Sequence, residues 1–178
     1  MVWMGIESTN TVHSLSEPHT PAITFLSSYA LPALQIDGLT ISELSDLAWD
    51  EDEQLLYAVS DRGQVFHFQL SIEHDAITAL TPVYGAGLLN AKGKKLDWRD
   101  SEGLDVASAR NGVRGDSELI IALEGLPRIG RFQPSGRLIE EFVLPKMLQN
   151  RRQYRASNTS LESVTLHPRY HYLTAPEQ

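Results

Sequence analysis

Residues 97–107 read DWRDSEGLDVA and residues 118–132 read ELIIALEGLPRIGRF, joined by the polar run SARNGVRGDS. Two short apolar strands are predicted here, over 104–107 and 119–123. Each sits beside an acid: Glu102 just before the first, Glu124 just after the second. The same design recurs upstream, where ELSDLAWD (43–50) leads into QLLYAVSDRGQVFHF (54–68). It recurs again where SLESVTLHP (160–168) leads into HYLTAPEQ (171–178). Aligning Leu47, Leu104 and Val164 puts Ser45, Glu102 and Glu162 in one column, at offsets of 57 and 60 residues. A second column holds Asp61, Glu124 and Glu177. Self-similarity at such a period points to a repeated β unit, as in propeller blades.

Composition bounds the rest. The chain has 178 residues, 42% hydrophobic and 21% charged, which suits one globular domain. Its net charge of −8 argues against a nucleic-acid partner and is compatible with cations or cationic ligands. Without cysteine there are no disulfides, thiol chemistry or cysteine metal sites. No apolar run approaches the ~20 residues that span a bilayer, so no membrane partner is expected. The opening MVWMGIESTN has neither the basic start nor the apolar core of a secretory signal.

Along the chain, residues 1–21 are rich in Ser, Thr, His and Pro and are expected to form a flexible arm, with the folded domain over 22–178. Residues 22–32 (AITFLSSYALP) have strand character. The first repeat then gives strands over 44–49 and 55–60, a third carried by Val65, Phe66 and Phe68, and a weaker fourth over 76–83. Residues 84–100 are expected to be a long loop with a Lys92, Lys94, Lys95 cluster. That cluster is no phosphate loop, because the glycine spacing is wrong and Lys95 stands where Ser or Thr is required. The second repeat adds strands over 129–133 and 138–144 around the turn Pro134-Ser135-Gly136. Residues 146–158 are expected to form a helical turn or an extended loop. The reading is therefore all-β: β-propeller-like, antiparallel four-stranded blades. At ~60 residues per blade a four-bladed ring would need ~240, so about two and a half blades are expected here. An exposed blade edge, and self-association through it, is expected to follow.

In a meander, the start of one strand and the end of the next share an edge. Ser45 with Asp61, Glu102 with Glu124, and Glu162 with Glu177 are thus expected to gather at one mouth of the central channel. Carboxylates collected there repel one another unless a cation, an arginine or protons compensate. Hard oxygen ligands of this kind suit Ca²⁺ better than zinc.

DSEGLDVA (100–107), LEGLPRIGRF (123–132) and NRRQYRASNTSLESV (150–164) resemble motifs of the phytase-like family, described by its esterase-like activity of phytase. ELSDLAWDEDEQLLYAVSDRG (43–63) resembles that family's opening blade, and the likeness extends from about Phe25 to the C-terminus. The resemblance implies a β-propeller, usually exported from bacterial cells, with hydrolase activity on phosphate or other esters. Asp46 and Ser163 stand where the family usually has Gly.

Two functional readings follow. In the first, Asp61, Glu102, Glu124 and Glu162 hold a divalent cation, provisionally Ca²⁺. Glu102, Glu124 and Arg128 then form the catalytic set, and Arg62 and Arg128 orient a small anionic ester. The second is a non-catalytic propeller that binds a ligand or protein on its rim. The structural alternative for these acids is capping turns or pairing with Arg62, Arg99 and Arg128. Arg151, Arg152 and Arg155 read as a solvated loop face, and Trp49 and Trp98 as packing. Pro168 breaks any helix that would align His167 with His171. No Gly-x-Ser-x-Gly elbow supports a serine hydrolase.

Overall fold

The apolar runs of the repeats become antiparallel sheets in the computed structural model, which describes residues 23–97, 99–154 and 159–176. The expected arm over 1–21, Trp98, Arg155 and Glu177 lie outside the described residues. A two-stranded hairpin, β1 (Gln35–Ile36) and β2 (Leu39–Thr40), comes first. Blade one follows in the spatial order β3 (Leu44–Asp50), β4 (Leu55–Ser60), β5 (Gln64–Glu73), β6 (Ala76–Gly87). Blade two repeats that order with β7 (Ser101–Ala107), β8 (Glu118–Leu123), β9 (Arg128–Phe132) and β10 (Leu138–Glu141). A single helical turn, α1 (Lys146–Gln149), and a 3₁₀ turn at Arg151–Gln153 lead to blade three, the pair β11 (Leu161–His167) and β12 (His171–Pro176). Inner strand β7 packs between β3 and β11, giving an incomplete propeller and no closed barrel.

Blade two buries both faces, which is why LIIAL in β8 reads as a continuous apolar run without alternation. Leu119, Ile121 and Leu123 meet Tyr57, Val59 and Val65 of blade one. Ile120 and Ala122 look the other way, onto Leu161 and Val164 of blade three. On the far side of blade one, Ala58, Phe66 and Phe68 are covered by Leu31, Leu34, Ile36, Leu39 and Ile41.

Polar contacts lock neighbouring blades together. The Asp46 carboxylate accepts from the Leu104 N–H at 2.7 Å, and the Asp105 carboxylate accepts from the Leu166 N–H at 2.6 Å. At the outer turns, Asp52 accepts from the Asn111 and Gly112 N–H groups. Gly103 permits the close approach of β7 and β11, since a Cβ there would lie 2.6 Å from the Ser163 carbonyl carbon and the Val164 nitrogen. At the matching position of blade one, Asp46 bridges to its neighbour with a carboxylate. Ser163 turns its hydroxyl back onto the Ala175 N–H of its own blade.

Two expectations need correction. Residues 23–32 join no strand ladder, and Ile23, Phe25 and Leu26 stay exposed. The Ser27 hydroxyl takes the Ile77 N–H, an edge amide that a pairing strand would need. The fourth strand of blade one continues to Gly87, so the loop begins later than expected. Gly85 lets that strand run beneath the N-terminal hairpin, where a Cβ would lie 2.8 Å from Ile36 Cγ2.

Candidate functional site

The site grows from a bulge repeated in every blade. Ladder pairing passes from Leu44↔Ser60 to Asp46↔Val59, from Ser101↔Leu123 to Gly103↔Ala122, and from Leu161↔Pro176 to Ser163↔Ala175. Ser45, Glu102 and Glu162 are the residues skipped, one per blade. A bulge leaves its extra residue outside the ladder and re-aims the side chain. The sequence column of Ser45, Glu102 and Glu162 is therefore a structural column.

At the second blade the bulge brings three carboxylates together. Asp100, Glu102 and Glu124 each present an oxygen, and these atoms lie within 4.8 Å of one another. Glu124 follows β8 directly; its N–H donates to the Asp100 carbonyl at 2.8 Å. Its side chain is buried, and Oε1 accepts from the Ser160 N–H of the next blade at 2.9 Å. Asp100 and Glu102 are half-buried. Asp100 Oδ1 is shielded from solvent and has no hydrogen-bond partner. Burial, followed by the Asp100 charge, pushes the Glu102 carboxyl up to about 7; the Ser45 hydroxyl opposes the shift. Asp100 is also raised, first by burial and then by the Glu124 charge. Its interaction with Glu102 pulls it back, and the two carboxyls titrate as a pair. Such a group of hard oxygens could hold a metal ion.

Blade one repeats the arrangement in a looser form. Asp61 N–H donates to the Glu43 carbonyl at 3.2 Å, as Glu124 does to Asp100. Asp61 is exposed and is raised by desolvation, then by Glu43 and Asp100, with Arg62 opposing. Its response to Asp100 ties the two blades into one acidic rim. Arg62 pairs with Glu43, holding that carboxyl below its usual range. Arg62 also lines a groove of about 500 Å³ with Lys95, Arg99 and Tyr84. Arg99 Nε donates to the Arg62 carbonyl at 2.7 Å. Arg128 bonds to Glu141 at 3.0 Å and to the Asp97 carbonyl at 2.7 Å, tethering the segment that leads to Asp100.

The family described as Phytase-like, esterase-like activity of phytase, matches residues 40–178. The chain belongs to the phytase-like family. A solved luciferin-regenerating enzyme is 15% identical, with a TM-score of 0.44 over 71% of this chain. That match spans 34% of the enzyme's chain, about a third of its length. No curated protein sequence matches.

For this phytase-like chain, the structure brings Glu102 and Glu124 together, as expected of one blade edge, and adds Asp100, which the sequence reading did not include. A signal existed. Glu43, Asp100 and Ser160 form a third column, two residues before the bulge, and two of its three members are acids. Asp61 and Glu162 lie outside the close triad: Asp61 on the rim of blade one, Glu162 at the bulge of blade three. Trp49 is partly exposed at the blade edge, its indole N–H donating to Glu51 at 2.9 Å.

Proposed function

We propose that this phytase-like chain is an esterase-like hydrolase of phosphate or other small anionic esters. It works at the acidic mouth with a divalent cation, Ca²⁺, held by Asp100, Glu102 and Glu124 and flanked by Asp61 and Glu162. The observation that carries this reading is the convergence of the three carboxylates within 4.8 Å. The residues fit the ion: three hard carboxylate oxygens converge, and a solvent-shielded oxygen of Asp100 has no hydrogen-bond partner. When bound, such a cation polarises a phosphoryl or acyl oxygen and acidifies a coordinated water.

The chain's own residues supply the rest. Glu124, fixed by the Ser160 N–H, keeps its oxygens directed at the site. In the metal-free site Glu102 takes up a proton near neutral pH, which a bound cation would displace, so metal binding there would release a proton. Arg62 stands half-exposed on the basic groove and can trade Glu43 for the anionic end of a substrate. Arg128 fixes the approach to Asp100 and supports the same anion.

Calorimetric calcium titration, run beside hydrolysis of p-nitrophenyl phosphate and p-nitrophenyl acetate, tests the proposal. Calcium should bind and turn on hydrolysis of at least one ester, and Glu124→Gln should remove both. Calcium binding without turnover would overturn the hydrolase reading in favour of a rim that binds a ligand. No binding at millimolar calcium would overturn the metal site.

A further inference from the structure

Among the described residues, the repeat columns leave apolar side chains exposed on the front of blade one and the rear of blade three. Position 47 of blade one corresponds to Leu104 and Val164, and position 49 to Val106 and Leu166, by the shared bulge register. Leu104, Val106 and Val164 are buried against the preceding blade, at 4%, 6% and 4% exposure. Leu47 and Trp49 carry the same apolar character at 52% and 36% exposure. Blade one thus has the front face of an internal blade, and no blade among the described residues packs on the Leu47–Trp49 side of β3. The rear end shows the converse. Tyr57 and Ile120 receive the following blade and are 2% and 0% exposed, whereas Leu173, their counterpart on β12, is 44% exposed.

We propose that a second copy of this chain docks head-to-tail, with the rear face of its blade three on the front face of blade one. Three observations favour that occupant. The two faces continue an interface that the molecule already builds twice, at the same repeat positions. Their extents match: residues 31–41 cover the outer strands of blade one and leave β3 open, and blade three has only its two inner strands among the described residues. Their charges match too. The turns of adjacent blades touch at the first junction, and the turns that would meet here carry Glu51 on blade one and Arg169 on blade three. Made reciprocally, the contact gives a two-fold dimer.

Sedimentation equilibrium of the 178-residue chain tests this. The 19.9 kDa chain is expected at twice its monomer mass. Leu47→Glu and Leu173→Glu change exposed side chains on opposite faces, so each should fold as the parent by circular dichroism and weaken dimerisation at least tenfold. An equimolar mixture of the two variants retains one intact front and one intact rear. It should form dimers at concentrations where neither variant does alone. A monomeric parent, a dimer indifferent to both substitutions, or a mixture that fails to recover would each overturn the proposal.

Discussion

Ser45 and Glu102 occupy the same bulge position in successive blades, and the Ser45 hydroxyl opposes the rise of the Glu102 carboxyl. One repeat position thus supplies both an acid and the neutral donor that steadies it. Where blade two has a glutamate, blade one has a serine, which avoids adding another carboxylate to the cluster. Ser45→Ala should raise the Glu102 pKa further by removing the hydroxyl's stabilisation of the ionised form. The carboxyl resonance in a pH titration by NMR reads this directly, and an unchanged midpoint would mean the hydroxyl is idle.

Glu102 also makes stability depend on pH in an uncommon direction. Its folded pKa lies near 7, against 4.5 for the free side chain, so the folded state binds the proton more tightly. Its contribution to stability is therefore fully present below pH 4.5 and is lost as pH rises through 7. In calcium-free buffer at pH 8, Glu102→Gln should raise the melting temperature by about 2–4 °C, the response of a domain this size to roughly 1 kcal/mol. Solvent at this half-buried site keeps the gain small. The same variant should lose calcium binding; a lower melting temperature would instead make the carboxylate a structural partner.

His67 gives a second, opposite dependence. Its ring lies between Tyr57 and Tyr84, with Nε2 2.9 Å from the Pro134 carbonyl of blade two. Burial lowers its pKa below 6.5, so the unfolded chain binds the proton more tightly. The neutral ring's contribution is intact above pH 6.5 and falls away as pH drops below it. His67→Gln keeps a donor for Pro134 and removes the titration. Between pH 7 and 5 its melting temperature should fall less than that of the parent.

Gly103 is the tightest point between blades two and three. Gly103→Ala would set a methyl against the backbone of Ser163 and Val164, a contact that no side-chain rotation relieves. A loss of about 1–3 kcal/mol is expected, as for overpacked cores. Urea unfolding measures it, and an unchanged midpoint would mean that β11 can move aside freely.

Much of this was legible in sequence because the repeat is chemical as well as apolar. Leu47, Leu104 and Val164 fixed the register, and the bulges then landed on Ser45, Glu102 and Glu162. Asp100 was missed because its column holds Glu43, Asp100 and Ser160, a mixture that reads as loop polarity until the backbone bond from Glu124 brings it to the strand end. Residues 23–32 look like a strand by composition. Whether they pair was decided by what else bonds to Ile77, and a local pattern carries no such information.

The carboxylate-to-amide locks at Asp46–Leu104 and Asp105–Leu166 have a bearing on how the chain folds. Each ties an inner strand only to its neighbour, so blade order becomes a chain of nearest-neighbour couplings, as in solenoids. Within a single chain, blade two is the member that the described residues couple on both sides. Its amides should exchange with deuterium most slowly, and blade three, held from one side, should open first. Assembly would then nucleate at the middle of the arc and spread to both ends.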